Sequence, residues 1–449
     1  MARLPSPGTD SDEAAAGGST QDDDAVVAGN GRRRGRHAAP AHGPRHAAPS
    51  RLRRLRPAHP WRWGMLVVLL ALVALVVVQV TRPLPAPALV PSLASDPQVS
   101  GAPVPVPWPS AGQGAYTVPS LGLVAQSGPE QPVPVASVTK MMTAYLVLQA
   151  HPLGPGDSGP SVTLTAADEA ESDADQAAGN TEVPVKAGET LTERQLLDGL
   201  LVPSADNLAD VLAAWVAGSP AAFVGKMNAT AAALGMGSTH YADASGLDRG
   251  SVSTAADSLR LAAADMQNPT FAAIVDQPSV TLPIAGTLRN FVTAVGTDGV
   301  VGVKSGFTDA AGGCLVLAAD RVVGGRTLRV LVAVTGQTGA GPLQAADGAA
   351  LAVLDSVSRA LVAERLAAPG SVVGRVRAPW GASAPLLPSD GIVVLGRRGD
   401  ALTVALVPRR GQGTSARLVV VDGGETVVVG VHRAAPLAGP SLWWRLVHG

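Results

Sequence analysis

The sequence predicts an α+β domain that is carried on a single transmembrane helix and followed by a small β-rich module. Three observations support this fold class. An uncharged apolar run, residues 63–81, lies near the N-terminus. Helix caps recur between residues 192 and 266, as expected for a cluster of short helices. After residue 300, short apolar runs bounded by glycines and polar turns are typical of sheet strands.

Length and composition permit several domains and give no support for nucleic-acid binding, a disulfide or a cysteine-based metal site. The chain has 449 residues, enough for two or three domains. Its net charge of −1 gives no overall indication of nucleic-acid binding. Cys314 is the only cysteine, which excludes an intrachain disulfide and any metal site built on cysteine pairs. Nothing in the sequence implies a metal ion or an organic cofactor.

The N-terminal 60 residues have the composition of a disordered tail. They lack hydrophobic periodicity and are rich in Gly, Ala, Pro, Asp and Arg. Ten arginines lie between Arg32 and Arg62, and no acidic residue follows them until Asp96. Because positive charge favours the cytoplasmic side of a membrane, we expect residues 1–60 in the cytoplasm and everything after Arg82 outside.

Residues 61–82 are predicted to form a transmembrane signal anchor. The 19 uncharged residues at 63–81 would span about 28 Å as a helix, close to the thickness of a bilayer's hydrocarbon core. A buried core helix and a cleaved signal peptide remain alternatives, but the length of the run favours an uncleaved anchor. Nine prolines between Pro83 and Pro109 then predict a stiff, extended stalk over residues 83–112.

The main domain is predicted to cover residues 113–365. A strand pair is expected within residues 115–126, and a capping box at Thr192 predicts a helix to about Leu201. Three more helices are expected at about 207–216, 220–234 and 254–266. Strands are expected at 301–303, 314–318 and 328–334, followed by a helix at 345–365. The β-rich module is predicted to cover residues 366–449, with strands at 392–395, 401–407, 416–421 and 425–431.

A serine three residues before a lysine provides the first candidate for chemistry. Ser137 and Lys140 stand at the start of an apolar run with helical spacing, so both side chains should lie on one face. A hydroxyl beside an amine is a candidate nucleophile with its base. The chain has only four lysines, and no other serine has one at this spacing. The alternative is an accidental pair on a solvated helix start.

Two later motifs complete a known constellation. Ser204-Ala205-Asp206-Asn207 lies in the break between two predicted helices, and Lys304-Ser305-Gly306 ends a predicted strand. Taken alone, the first could be a helix cap and the second a turn. Taken together and in this order, they match the S-x-x-K, S-D-N and K-T-G set of penicillin-recognising serine enzymes.

The sequence around these motifs resembles that of the D-alanyl-D-alanine carboxypeptidases, the low-molecular-weight penicillin-binding proteins. The similar stretches are residues 134–144, 201–204, 245–247 and 302–312, and the resemblance covers about 113–345. It implies a penicillin-binding/β-lactamase-like fold, in which an antiparallel sheet packs with helices and a helical subdomain. It also implies peptidoglycan stem peptides as substrates and β-lactams as inhibitors.

The resemblance also implies roles for individual residues. Ser137 would attack the carbonyl between two D-alanines, Lys140 would take its proton, and Ser204 would pass a proton to the leaving group. Lys304 would keep Lys140 neutral and attract the substrate carboxylate. The backbone N–H groups of Ser137 and Phe307 would form the oxyanion hole. The implied substrate-binding residues are Asp206, Asn207, Lys304, Ser305, Gly306, Phe307 and Thr308.

The chain departs from the family pattern at two places. Asp206 stands where asparagine is usual, and an ionised carboxylate cannot donate a hydrogen bond to substrate; either Asn207 turns into the site or that contact weakens. In addition, no Lys or Arg lies between Thr335 and Ala352, where the family often has a basic residue.

Three functions follow from these observations. The first is a membrane-anchored serine D-Ala-D-Ala carboxypeptidase that binds penicillin. The second is a catalytically weak or inactive relative that acts as a cell-wall binding or scaffold protein. The third is a β-lactamase, which is disfavoured because no glutamate lies between Ser204 and Lys304 to serve deacylation. The oligomeric state is not indicated by the sequence.

Overall fold

The structure is a computed structural model that describes residues 60–127, 131–408, 416–422 and 425–448. The predicted cytoplasmic tail falls outside these residues, apart from Pro60. The helices of the described residues are α1 (Pro60–Thr81), α2 (Lys140–Ala150), α3 (Ala166–Ala178), α4 (Glu193–Leu201), α5 (Asp206–Ala217), α6 (Pro220–Ala233), α7 (Ala255–Asp265), α8 (Pro269–Val275), α9 (Pro342–Ala360) and α10 (Leu442–His448).

The strands fall into one central sheet, one C-terminal sheet and several short pairs. They are β1 (Ala88–Pro91), β2 (Gln113–Val118), β3 (Leu123–Gln126), β4 (Val133–Pro134), β5 (Ser161–Thr163), β6 (Thr190–Thr192), β7 (Val252–Ser253), β8 (Ser279–Leu282), β9 (Gly286–Arg289), β10 (Val300–Thr308), β11 (Gly312–Val323), β12 (Arg326–Gln337), β13 (Leu361–Ala367), β14 (Gly374–Arg377), β15 (Ser383–Pro388), β16 (Ile392–Arg397), β17 (Thr403–Pro408), β18 (Ala416–Asp422) and β19 (Glu425–Arg433).

The central sheet is antiparallel, in the order β10-β11-β12-β2-β3, and both of its faces are covered. Alternation along β11 divides its side chains between two cores. Val316 and Ala318 join the larger core with α2 and α4 to α8, whereas Leu315 and Leu317 join the core under α9. Because each face is buried, the sequences of these strands are near-continuous apolar runs and do not alternate between apolar and polar residues. The domain is therefore α+β, as predicted.

The helical predictions are confirmed to within a few residues. The capping box at Thr192 is present: its hydroxyl accepts from the Gln195 N–H, and the Gln195 side chain accepts from the Thr192 N–H. Gly218 closes α5 in a left-handed conformation, which glycine adopts without a steric penalty. The side chain of Thr254 caps α7. The helices α3, α8 and α10 have no counterpart in the sequence predictions.

The segment predicted as an extended stalk, residues 83–112, is packed rather than free. Its strand β1 pairs with β14 in the C-terminal sheet, and the side chain of Val99 is buried there. The Pro105 carbonyl accepts from Ser356, and Trp108 stacks on Tyr116. Proline content predicted a stiff, extended chain, and four of these residues, Ala88–Pro91, form a strand. The apolar residues between the prolines, however, are buried against the folded part of the protein.

The C-terminal module contains a six-stranded sheet in the order β1-β14-β15-β19-β18-β17 and the pair β13-β16. The four predicted strands correspond to β16 to β19. The helix predicted at 345–365 ends at Ala360 instead, because the chain turns to extended conformation at Leu361 and begins β13. The predicted boundary of the module at residue 366 lies within β13 and remains a prediction. The module is joined to the central sheet, where Arg397 donates to the Tyr116 hydroxyl at 2.9 Å.

The helix α1 is long and apolar enough to cross a bilayer. Residues 61–81 have a mean hydropathy of 2.7, and their large apolar side chains are exposed. Length and composition of this kind are shared by membrane anchors and signal sequences. The helix is therefore consistent with the predicted anchor.

Candidate active site

The turn that carries Ser137 runs directly into a helix. Residues 136–139 form a single 3₁₀ turn, and Lys140 is the first residue of α2. One turn of 3₁₀ backbone brings positions three apart onto the same side. The Lys140 Nζ consequently lies 2.8 Å from Ser137 Oγ, and the lysine side chain is fully buried. The predicted nucleophile and base are thus in direct contact.

The backbone around Ser137 is tightly enclosed. Ala136 has a φ of +49°, a conformation that costs free energy for a residue with a Cβ and is often found beside active sites. A Cβ on Gly306 would lie 2.9 Å from the Ser137 nitrogen. The glycine of the third motif is therefore required by the backbone of the first. The same contact brings the end of β10 against the nucleophile turn.

Lys140 has three hydrogen-bond acceptors around its nitrogen. They are Ser137 Oγ at 2.8 Å, Asp206 Oδ1 at 2.5 Å and the Ser245 carbonyl at 2.9 Å. An ammonium group has three N–H donors, so this set matches the charged form. A neutral amine would keep two donors for Asp206 and Ser245, and its lone pair would face the Ser137 hydroxyl. The geometry therefore suits Lys140 both before and after it loses a proton.

The Ser245 carbonyl is held in place by a loop built around Asp243. The Asp243 carboxylate accepts from the Ser245 hydroxyl, the Gly246 N–H and the Asp248 N–H through one oxygen. Its other oxygen accepts from the Ser251 hydroxyl at 2.5 Å. The sequence pointed to residues 245–247 only through the family resemblance. The structure gives them a physical task, which is to present a carbonyl to Lys140.

Asp206 lies at the first position of α5, with both carboxylate oxygens engaged. Oδ1 accepts from Lys140, and Oδ2 accepts from the Thr181 N–H at 3.1 Å. Burial raises the pKa of the Asp206 carboxyl above its usual range, and Lys140 opposes that rise. The Asn207 side chain does not turn into the site beside Lys140. Its amide donates to the Val183 carbonyl at 2.9 Å and accepts from the Val183 N–H.

Ser204 occupies the break between α4 and α5 in a strained conformation. Its φ is +70°, and its side chain is buried. Among the described residues, its hydroxyl has no hydrogen-bond partner, so it is not bonded to Lys140 or Lys304. The predicted path for a proton through Ser204 remains a prediction.

Lys304 is buried on β10, with 1% of its surface exposed, and no carboxylate of the described residues is bonded to it. Its Nζ donates to the Ser305 carbonyl at 2.9 Å. Burial first and the charge of Lys140 second lower the pKa of Lys304 well below its usual range, while Asp206 opposes the shift. Both motif lysines and Asp206 therefore act on one another within one site. The predicted role of Lys304, to keep Lys140 neutral, remains a prediction.

The residues after Lys304 form the outer part of the site. Ser305 is buried, whereas the Phe307 side chain is 44% exposed. The Thr308 hydroxyl accepts from the Ala311 N–H at 3.1 Å, which closes the turn into β11. Their predicted contacts to a substrate carboxylate remain predictions. The exposed ring of Phe307 provides an apolar surface at this edge.

A group of acidic residues near α5 was not found by sequence reasoning. Asp210 follows Asp206 by one helical turn, and its pKa is raised to about 6, mainly by burial and then by Glu171, Asp243 and Asp175. The spacing of Asp206 and Asp210 places both on one helix face, and this i, i+4 relation was the available signal. In the described part of the chain, no group of three or more histidine, cysteine or acidic side chains could hold a metal ion.

Comparison with known proteins identifies the family. A model of the D-alanyl-D-alanine carboxypeptidase family matches residues 122–336. A D-alanyl-D-alanine carboxypeptidase of Streptomyces sp. (strain K15) is 34% identical over 209 residues, which are 43% of this chain and 69% of that protein. The chain belongs to the D-alanyl-D-alanine carboxypeptidase family.

Further relatives support this assignment to the carboxypeptidase family. A D-alanyl-D-alanine carboxypeptidase of Mycobacterium tuberculosis is 42% identical over 153 residues, which cover 32% of this chain and 52% of that relative. The chain thus spans about half the length of this relative. The crystal structure of the Streptomyces K15 DD-transpeptidase is 28% identical, with a TM-score of 0.50, and the match covers 56% of this chain and 98% of that structure. This likeness supports the penicillin-binding α+β fold.

Proposed function

We propose that the chain is a membrane-anchored serine D-Ala-D-Ala carboxypeptidase that removes the terminal D-alanine of peptidoglycan stem peptides and binds penicillin through Ser137. The observation that carries this proposal is the 2.8 Å contact between Lys140 Nζ and Ser137 Oγ in a fully buried setting. Family membership and the buried second lysine, Lys304, support the same chemistry.

Acylation begins when the Ser137 oxygen attacks the carbonyl carbon between the two D-alanines. Its proton passes to neutral Lys140, whose lone pair faces the hydroxyl. The N–H groups of Ser137 and Phe307 stabilise the oxyanion, and the proximity of Gly306 to Ser137 supports this pairing. The carbon–nitrogen bond then breaks, and the departing D-alanine nitrogen receives the proton by way of Ser204. An ester on Ser137 remains.

Hydrolysis reverses the proton transfers. Lys140 takes a proton from water, the hydroxide adds to the ester carbonyl, and the Ser137 oxygen leaves with that proton. Lys304, Ser305 and Thr308 bind the carboxylate of the D-alanine that is to be released.

We further propose that α1 anchors this enzyme with its N-terminus in the cytoplasm and the hydrolase outside. The uncharged stretch of α1 and the arginine-rich segment on its N-terminal side support this orientation. The cell wall would then be the substrate source, and β-lactams would be inhibitors.

The experiment is a double assay on the full chain in detergent. A fluorescent penicillin reports acylation, and a stem peptide ending in D-Ala-D-Ala reports D-alanine release. We expect both signals from the wild type and neither from Ser137→Ala. The matched control is Ser258→Ala, at a buried serine of α7, which should keep both signals. Absence of both signals from the folded wild type would refute the proposal.

A second candidate function is a catalytically weak relative that binds the cell wall. Asp206 favours it, because the carboxylate bonded to Lys140 occupies the position of the usual asparagine. In the same assay this relative would be labelled by penicillin but would release no D-alanine. Rapid turnover of the drug would instead indicate a β-lactamase.

A further inference from the structure

The ion pair between Lys140 and Asp206 is an unusual feature for a base that must be neutral. The two side chains are 2.5 Å apart, and both are almost fully buried. An asparagine at this position would offer the lysine a neutral acceptor only. A carboxylate adds a full negative charge beside the amine, where little water screens it. An opposite charge at this distance favours the protonated form of a lysine.

The other charged groups around the pair come from four segments of the chain. Lys304 on β10 repels a charge on Lys140. Asp175 on α3 and Asp210 on α5 act on Asp206 or are acted on by it, and Asp243 and Glu171 act on Asp210. The carboxylates thus outnumber the second lysine. Asp206 is nevertheless the one carboxylate bonded to Lys140 among the described residues.

We propose that Asp206 is a positioning residue that keeps Lys140 protonated in the resting site, so that Ser137 is acylated only when the pH rises far enough to remove a proton from the Lys140–Asp206 pair. This inference rests on the proposed function, since acylation of Ser137 is one of its readouts. It makes the enzyme slow at neutral pH and faster in alkali, and it assigns that behaviour to a single carboxylate.

The proton balance of the site follows from the hydrogen bonds. In the resting site, the Lys140 ammonium donates to Ser137, Asp206 and the Ser245 carbonyl. Loss of one proton to solvent leaves the donors to Asp206 and Ser245 in place and turns a lone pair to the Ser137 hydroxyl. The amine is then ready to accept the hydroxyl proton without any movement of its nitrogen.

The protonation of Lys140 can be measured directly, without any activity. The chain has four lysines, so labelling lysine with ¹³C at Cε gives four signals, which single Lys→Arg variants assign. We expect the Lys140 signal to titrate about one to three pH units lower in Asp206→Asn than in the wild type, the range over which a nearby opposite charge shifts a pKa. Equal midpoints, or a lower one in the wild type, would overturn the inference.

Three variants at position 206 separate charge from shape in the acylation assay. Asp206→Asn and Asp206→Ala both remove the charge, and only the first keeps an amide for substrate. We expect the pH at which penicillin labelling is half-maximal to fall in both variants. Asp206→Glu keeps the charge and should retain the wild-type midpoint. A midpoint that moves in Asn but not in Ala would show an amide effect and overturn the charge effect.

Failure of the inference is distinguishable from failure of the proposed function. If the wild type and the variants are all labelled with one common pH midpoint, the proposed function is supported and the proposed role of Asp206 is refuted. If none is labelled at any pH, the proposed function fails, and the lysine titration still decides whether Asp206 holds the charge of Lys140. Thermal unfolding of each variant confirms that the compared proteins are folded.

Discussion

The candidate active site, called the cleft from here on, and the C-terminal module bury opposite kinds of side chain. In the cleft, Lys140, Lys304 and Asp206 are each at most 2% exposed. In the described part of the module, the buried side chains are all apolar, with Leu386, Leu402 and Leu418 fully enclosed. Burial of charge is costly unless it is fully paired. The difference teaches that the buried charges of the described residues belong to the main domain, the candidate active site included, and that the module is held together by apolar packing alone.

This contrast separates activity from stability. Substitutions in the cleft should change rate more than the free energy of unfolding, and substitutions in the module core should do the reverse. The strand β1, which comes from before the catalytic domain, completes the module sheet. The module therefore binds, by strand pairing, a segment that precedes the main domain in the sequence, which gives the module a structural role.

The largest expected effect is that of Lys304→Met. The substitution keeps the approximate length of the side chain and removes a buried amino group to which no carboxylate of the described residues is bonded. Loss of this group, which the proposed function uses to bind a carboxylate, should slow penicillin labelling of Ser137 by about 10²–10³-fold, the usual cost of removing one electrostatic contact from an active site. The melting temperature should stay level or rise, because an apolar side chain suits a buried position.

The matched control for Lys304→Met is Lys186→Met, at an exposed lysine paired with Glu169. It should leave both labelling and melting temperature nearly unchanged. If Lys304→Met instead unfolded the protein while Lys186→Met did not, Lys304 would be a structural residue and the contrast between cleft and module would be lost.

The module core gives the second effect. Leu418→Ala deletes a fully buried side chain of β18, and such deletions reduce the free energy of unfolding by about 2–5 kcal/mol. Urea unfolding measures this loss. Labelling of Ser137 at room temperature should continue at the wild-type rate as long as the protein is folded. Val428→Ala, at an exposed valine of the neighbouring strand β19, is the control and should cost much less.

The fold was predictable where local sequence signals are strong. Caps at Thr192 and Thr254 fixed the starts of α4 and α7, since capping hydrogen bonds involve residues close in sequence. The helix α3 begins at a similar capping box, Thr165 with Asp168, and its acid-rich composition concealed it. The pairing of β1 with β14 joins segments at opposite ends of the folded region, and no local pattern can predict such a partner.

The sequence motifs of the site were predictable, but the hydrogen bonds that connect them were not. Spacing alone predicted contact between Ser137 and Lys140, because three residues along a helical turn fix their separation. It could not predict that Asp206 would bond to Lys140, or that Asp243 would hold the Ser245 carbonyl. Both contacts join segments that are far apart in the sequence. The only indication of the Asp206–Lys140 contact was that aspartate stands at position 206, where the family usually has asparagine.

The smallest expected effect concerns a buried carboxyl outside the cleft. Glu193 is the first residue of α4, with 1% of its surface exposed, and its Oε1 has no hydrogen-bond partner among the described residues. Burial raises the pKa of Glu193 to about 7, from a usual value of 4.5. The folded protein therefore binds a proton that the unfolded chain releases between these values. Stability supplied by that proton is present below pH 4.5 and is lost as the pH rises through 7.

Replacement of this carboxyl should sharpen the comparison, since it tests a buried acid that serves no reaction. Glu193→Gln cannot ionise, so it should raise the free energy of unfolding at about pH 8 by at most about 3 kcal/mol, and the helix N-terminus, which favours a carboxylate, should reduce that gain. At about pH 4 the variant and the wild type should be nearly equal. The measurement is urea unfolding at both values, with Glu171→Gln, at an exposed glutamate, as the control. An equal difference at the two pH values would mean that folding does not shift the pKa of Glu193, and that burial at this position does not disfavour the carboxylate.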